Sequence, residues 1–72
     1  MKKIKKIEIK VNGKFKHVTE NYKISDLVKD LKIPLKKVAI ELNQEIIDKK
    51  TINKIILKKK DKIELVHFIG GG

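Results

Sequence analysis

Ile7-Glu8-Ile9-Lys10-Val11-Asn12-Gly13-Lys14-Phe15-Lys16-His17-Val18-Thr19 is the stretch from which the fold is read. Ile7, Ile9 and Val11 alternate with Glu8 and Lys10, the period of a strand with one buried face. Asn12-Gly13 is the strongest short hairpin signal, because a type I′ turn needs positive φ at both central positions. Phe15 to Thr19 then returns as a second strand. A single dipeptide of this kind cradles no ligand, so it is read as a turn.

Working outward from the hairpin, Ser25 is read as an N-cap, with Asp26 in the first turn where its charge meets the helix dipole. Leu27, Val28 and Leu31 fall on one helical face and are assigned to the core; Lys29, Asp30 and Lys32 occupy the rest. Ile33-Pro34 ends the helix, since the residue before proline is pushed out of the α region. Val38-Ala39-Ile40-Glu41-Leu42 reads as a third strand, turned by Asn43-Gln44, with Glu45-Ile46-Ile47 as its extension. Thr51 to Ile56 is expected to form a short second helix or a 3₁₀ turn. Lys60-Asp61 leads into a last strand, Lys62 to Ile69. The order hairpin, helix, strand, short helical connection, strand predicts an α+β domain over residues 1–72. One mixed sheet of four to five strands, with the main helix across one face, buries this much Ile, Val and Leu economically. First and last strands lying side by side at the sheet centre would make it a β-grasp.

Composition narrows the function. With 72 residues and no cysteine, the chain has neither disulfides nor a thiolate site, and its size is near the lower limit for an unstapled core. No apolar run approaches the roughly 20 residues that span a bilayer, and Met1-Lys2-Lys3-Ile4-Lys5-Lys6 is followed by no signal-peptide h-region. A cytoplasmic setting with no membrane is expected. The net charge is +10, yet all 19 basic residues are lysine. Arginine, which grips guanine and phosphate bidentately, is missing, and Phe15, Tyr22 and Phe68 offer no stacking platform. Specific nucleic-acid binding is therefore not expected, although the charge favours salt-sensitive attraction to acidic partners.

No catalytic constellation stands out. His17 and His67 lack metal-ligand spacing to another donor, and Ser25 has no base in a recognisable relation to it. No glycine-rich loop precedes a helix, so nucleotide binding is not expected either. The chain reads as a non-enzyme that is acted upon or binds. What remains is Gly70-Gly71-Gly72, placed directly after Leu65-Val66-His67-Phe68-Ile69. Glycine strips the side chains from around the Gly72 carboxylate and frees the backbone, so residues 70–72 suit a narrow channel in a partner enzyme.

Ile24-Ser25-Asp26-Leu27-Val28, Val38 to Ile47, and Asp61 with Ile63 to Gly72 together resemble the ThiS-type sulfur carriers of thiamine biosynthesis, in the ubiquitin-like ThiS/MoaD superfamily. The resemblance runs over nearly the whole chain. It departs at Lys60, where the family often has glycine, and in its lysine load.

The resemblance implies a β-grasp fold and a chemistry located at Gly72. A terminal carboxylate is ionised near neutrality and resists nucleophiles. A ThiF-type enzyme using ATP would adenylate it, and sulfur from a cysteine-desulfurase relay would displace AMP and leave a thiocarboxylate. A ThiG-type synthase would then draw on that sulfur for the thiazole ring. ATP belongs to the activating enzyme, and the carrier binds no cofactor or metal of its own. Gly70 and Gly71 would provide the slim approach, with Phe68 or Ile69 as possible contacts to a partner. The MoaD-type subunit of molybdopterin synthase uses the same tail chemistry, and tRNA thiolation is a third use. From another class, a basic module binding RNA or an acidic protein would lose affinity steeply with salt and be indifferent to loss of Gly71-Gly72.

Overall fold

A computed structural model describes residues 5–68. The expected hairpin is present: β1 (Lys6–Val11) and β2 (Lys14–Thr19) pair antiparallel, with Ile9 opposite Lys16. Asn12 and Gly13 take φ of 51° and 82°, the two positive values a type I′ turn requires. A Cβ at Gly13 would meet nothing within 4 Å, so glycine serves the backbone angle there rather than a close approach.

The helix α1 (Ile24–Leu31) begins two residues earlier than a Ser25 cap would allow. Its N-cap is Lys23, whose N–H donates to the Asp26 carboxylate at 2.9 Å. The amides of Ile24 and Ser25 donate to the carbonyls of Ile55 and Ile52, so tertiary contacts do the work expected of the serine hydroxyl. At the other end Lys32 takes φ 53°, and Ile33 N–H closes on the Val28 carbonyl at 3.0 Å, just ahead of Pro34. Ile24 and Leu27 are buried and Val28 half-buried, but Leu31 is exposed, so the core stripe is shifted toward the N-terminal turn.

A 3₁₀ turn at Leu35–Lys37 leads into β3 (Val38–Leu42), and Asn43-Gln44, both with positive φ, return the chain as the two-residue β4 (Glu45–Ile46). The expected second helix is only a 3₁₀ turn. It lies at Lys49–Thr51, mostly ahead of the predicted segment, where the Asp48 carboxylate accepts the Lys50 N–H. The last strand, β5, spans Lys62–His67.

The five strands lie in the order β2-β1-β5-β3-β4, with β5 parallel to β1 and antiparallel to β3. The central parallel pair of a β-grasp is therefore present. Alternation sends Ile9, Val18, Val38, Ile40 and Ile63 into the core, where Ile24 and Leu27 of α1 and the buried Ile52 and Leu57 meet them. Burying one such side chain fully is worth about 1.5–3 kcal/mol. No buried polar side-chain atom among the described residues lacks a partner.

Candidate functional site

The site is built around the end of β5. Two turn asparagines hold this strand from opposite sides. Asn43, in the β3–β4 turn, accepts the Lys62 N–H through Oδ1 at 2.9 Å and donates through Nδ2 to Asp61 at 3.0 Å. Asn12, in the β1–β2 turn, accepts the Leu65 N–H through Oδ1 at 2.8 Å. In a parallel ladder that N–H would go to the main-chain carbonyl of residue 12, so the side chain stands in for a strand that has already turned away. Asp61 completes the brace by accepting the Lys58 N–H at 2.7 Å.

Pairing with β3 continues past the last strand residue, because Phe68 N–H donates to the Lys37 carbonyl at 2.9 Å. The chain is thus held extended as far as Phe68. Phe68 is 52% exposed, so this candidate contact residue is available to a partner and is not core. Lys49 Nζ sits 5.2 Å from its ring centroid and also donates to the Leu35 carbonyl, a cation–π contact at the root of the tail. Ile69, Gly70, Gly71 and Gly72, the other residues expected at the site, lie outside the described residues.

Beside Phe68, the sheet face opposite α1 carries exposed Val66, with half-buried Ala39 as its cross-strand partner, and exposed Ile46 opposite Glu41. Phe15 is also exposed on this face, with Lys10 Nζ 4.9 Å from its ring centroid. Glu8, Glu41 and Glu64 interrupt the lysines there. Glu8 lies 3.3 Å from its cross-strand neighbour His17.

The other sequence candidates do not converge. Alternation puts His17 on the open face and His67 on the opposite one, and Ser25 lies in the first turn of α1. Among the described residues no group of three His, Asp or Glu side chains is placed to hold a metal ion. No helix among them is long and apolar enough to cross a membrane. Sequence reasoning missed Asn12 and Lys49 as parts of the site. Asn12 read simply as a turn residue, and nothing in the sequence marks Lys49 among so many lysines.

A β-grasp sheet whose central strand is followed in the sequence by a glycine tail defines the class as ubiquitin-like. The ThiS family profile matches residues 9–72, and the chain belongs to that family. A sulfur carrier protein ThiS of Bacillus subtilis is 38% identical over 65 residues, covering 89% of this chain and 98% of that protein. A thiazole synthase of Magnetococcus marinus is 33% identical over 66 residues, 92% of this chain, and the chain spans only about a fifth of that relative's length (20%). The crystal structure of a thiamine biosynthesis protein (ThiS) from Geobacter metallireducens superposes with a TM-score of 0.80 at 30% identity, covering 92% of this chain and all of that one (100%).

Proposed function

We propose that the chain is a sulfur carrier of thiamine biosynthesis, that Gly72 carries the reacting carboxyl, and that the chain itself catalyses nothing. The observation that carries this reading is the family match across residues 9–72, which includes the glycine tail. The geometry supports it: β5 is held on the β1 side as far as the Leu65 N–H and on the β3 side as far as Phe68, so the segment that precedes the glycines is fixed in place. In the proposed sequence a Gly72 carboxylate oxygen attacks the α-phosphorus of ATP in a ThiF-type enzyme, and pyrophosphate leaves. A persulfide delivered by a cysteine-desulfurase relay then displaces AMP to give an acyl disulfide, a second thiol reduces its S–S bond to free the thiocarboxylate, and that thiocarboxylate becomes the donor to a ThiG-type synthase. The likeness to thiazole synthases, each matching this chain over a fifth of its own length (20%), supports that acceptor over the molybdopterin pathway. A cytoplasmic setting belongs to the same proposal.

The test is an intact-mass measurement after incubation with ATP, a ThiF-type enzyme and a sulfur source. Exchange of one terminal oxygen for sulfur adds about 16 Da. Removal of Gly71-Gly72 should abolish the gain and leave the melting temperature unchanged. No gain with an enzyme active on its own carrier would reject the reading.

A further inference from the structure

The edge of β5 that faces β1 is only partly used. Lys10 and Val11 pair with Lys62 and Ile63, Asn12 N–H donates to the Ile63 carbonyl at 2.9 Å, and Asn12 Oδ1 accepts the Leu65 N–H. There β1 turns away. On the other edge, Phe68 N–H bonds to Lys37, and the antiparallel register places Val66 against Ala39 and Glu64 against Glu41. Main-chain groups alternate along a strand, so 64, 66 and 68 serve β3 while 63, 65 and 67 point to the β1 side. Among the described residues, the Leu65 carbonyl and the His67 N–H therefore face the β1 side with no strand beside them.

We propose that this edge, Leu65 to Phe68, takes up an extended backbone segment of the enzyme that activates the tail, adding one strand to the sheet at the mouth of its channel. The inference rests on the carrier reading. An exposed strand edge is a template for pairing, and strand addition supplies affinity through main-chain hydrogen bonds. Three observations select the occupant. The edge directly precedes Gly70-Gly71-Gly72 in sequence, so a segment paired to it binds at the base of the tail that the enzyme must receive. The residues whose side chains leave the open face here, Val66 and Phe68, are exposed and apolar. The net charge of +10 opposes pairing with a second copy and favours a segment carrying acidic side chains.

The test is to remove one hydrogen atom from the edge. Semisynthesis places an N-methyl group on His67, deleting its N–H while leaving the ladder to β3 in place; His67→Ala keeps the N–H and serves as the control. Adenylation is followed by pyrophosphate release with a ThiF-type enzyme. The N-methyl chain should show a KM raised about tenfold with kcat little changed, the size expected for leaving a partner carbonyl unpaired. The control should stay near the unmodified chain. On the unmodified chain, the His67 amide should exchange with deuterium much more slowly in the enzyme complex than alone. An unchanged KM for a folded N-methyl chain, or equal exchange rates bound and free, overturns the proposal. If the unmodified chain gains sulfur mass normally while KM is unmoved, this edge alone is rejected. If it gains none, the carrier reading fails and takes the assigned occupant with it.

Discussion

The Leu65 N–H donates to Asn12 Oδ1 at 2.8 Å, joining residues 53 positions apart and tying the first turn to the last strand. Asn12→Gly keeps the positive φ of the turn and removes only the acceptor. A net loss of about 1 kcal/mol is expected, which lowers Tm by roughly 4–8 °C in a domain of this size. Faster deuterium exchange at the Leu65 amide is the direct check. An unchanged Leu65 exchange rate would show that the side chain does not hold the strand.

Lys60 offers the opposite change. It takes φ 71°, so the turn ahead of β5 is made by a lysine forced into the left-handed region. Its N–H is nonetheless used, donating to the Glu8 carbonyl at 2.9 Å. Lys60→Gly should relieve the strain, worth about 1 kcal/mol, less the entropy that glycine adds to the unfolded chain. Thermal melts should show a small rise in Tm and no change in sulfur loading.

Phe68 separates stability from recognition. The residue is more than half exposed and its ring rests against Lys49, so Phe68→Ala should change stability by no more than about 0.5 kcal/mol. If the ring enters a partner's apolar pocket, its loss costs about 2 kcal/mol of binding, or a KM for the activating enzyme raised some thirtyfold. Lys49→Met, which removes the charge over the ring and the bond to Leu35, should give a smaller effect in the same direction. Titration of enzyme with each variant, alongside melts, distinguishes the two roles.

Tyr22 carries a pH signature. Burial, the hydrogen bond its hydroxyl donates to Asp30, and the nearby charges of Asp30 and Asp26 together push its phenol well above the ordinary value of 10.0. A raised folded-state pKa contributes stability that is complete below the unfolded value and lost as pH rises toward the folded one. Wild type should therefore lose stability above about pH 10 more steeply than Tyr22→Phe, which has no proton to release. Denaturant midpoints at neutral and alkaline pH measure the difference, and parallel curves would reject it.

The parts of the fold legible in the sequence are those set by neighbours in the chain. Alternation and Asn12-Gly13 mark the first hairpin, and Val38 to Leu42 with its polar turn marks the third strand. The start of α1 is not legible, because Ser25 looks like a cap whereas the carbonyls of Ile52 and Ile55 already satisfy the first amides. The exposure of Leu31 is not legible either, because helical spacing gives a face but not how far the sheet extends beneath it. At the site, Phe68 was singled out by position, yet its exposure depends on which face of β5 it leaves. The roles of Asn12 and Lys49 are long-range and invisible to any local pattern. Among the described residues, six non-glycine residues adopt positive φ (Asn12, Asn21, Lys32, Asn43, Gln44 and Lys60), and only the asparagines advertise it.

The sheet order β2-β1-β5-β3-β4 has a consequence for biosynthesis. While a ribosome has made β1 to β4 but not β5, it holds two separate strand pairs with an empty lane between them. Neither pair can close over α1 until the last strand slots in, a non-local step of the kind that slows folding. The segment that leads to the glycines is thus also the one that completes the domain. A chain cut short before it would be left open to proteases and chaperones.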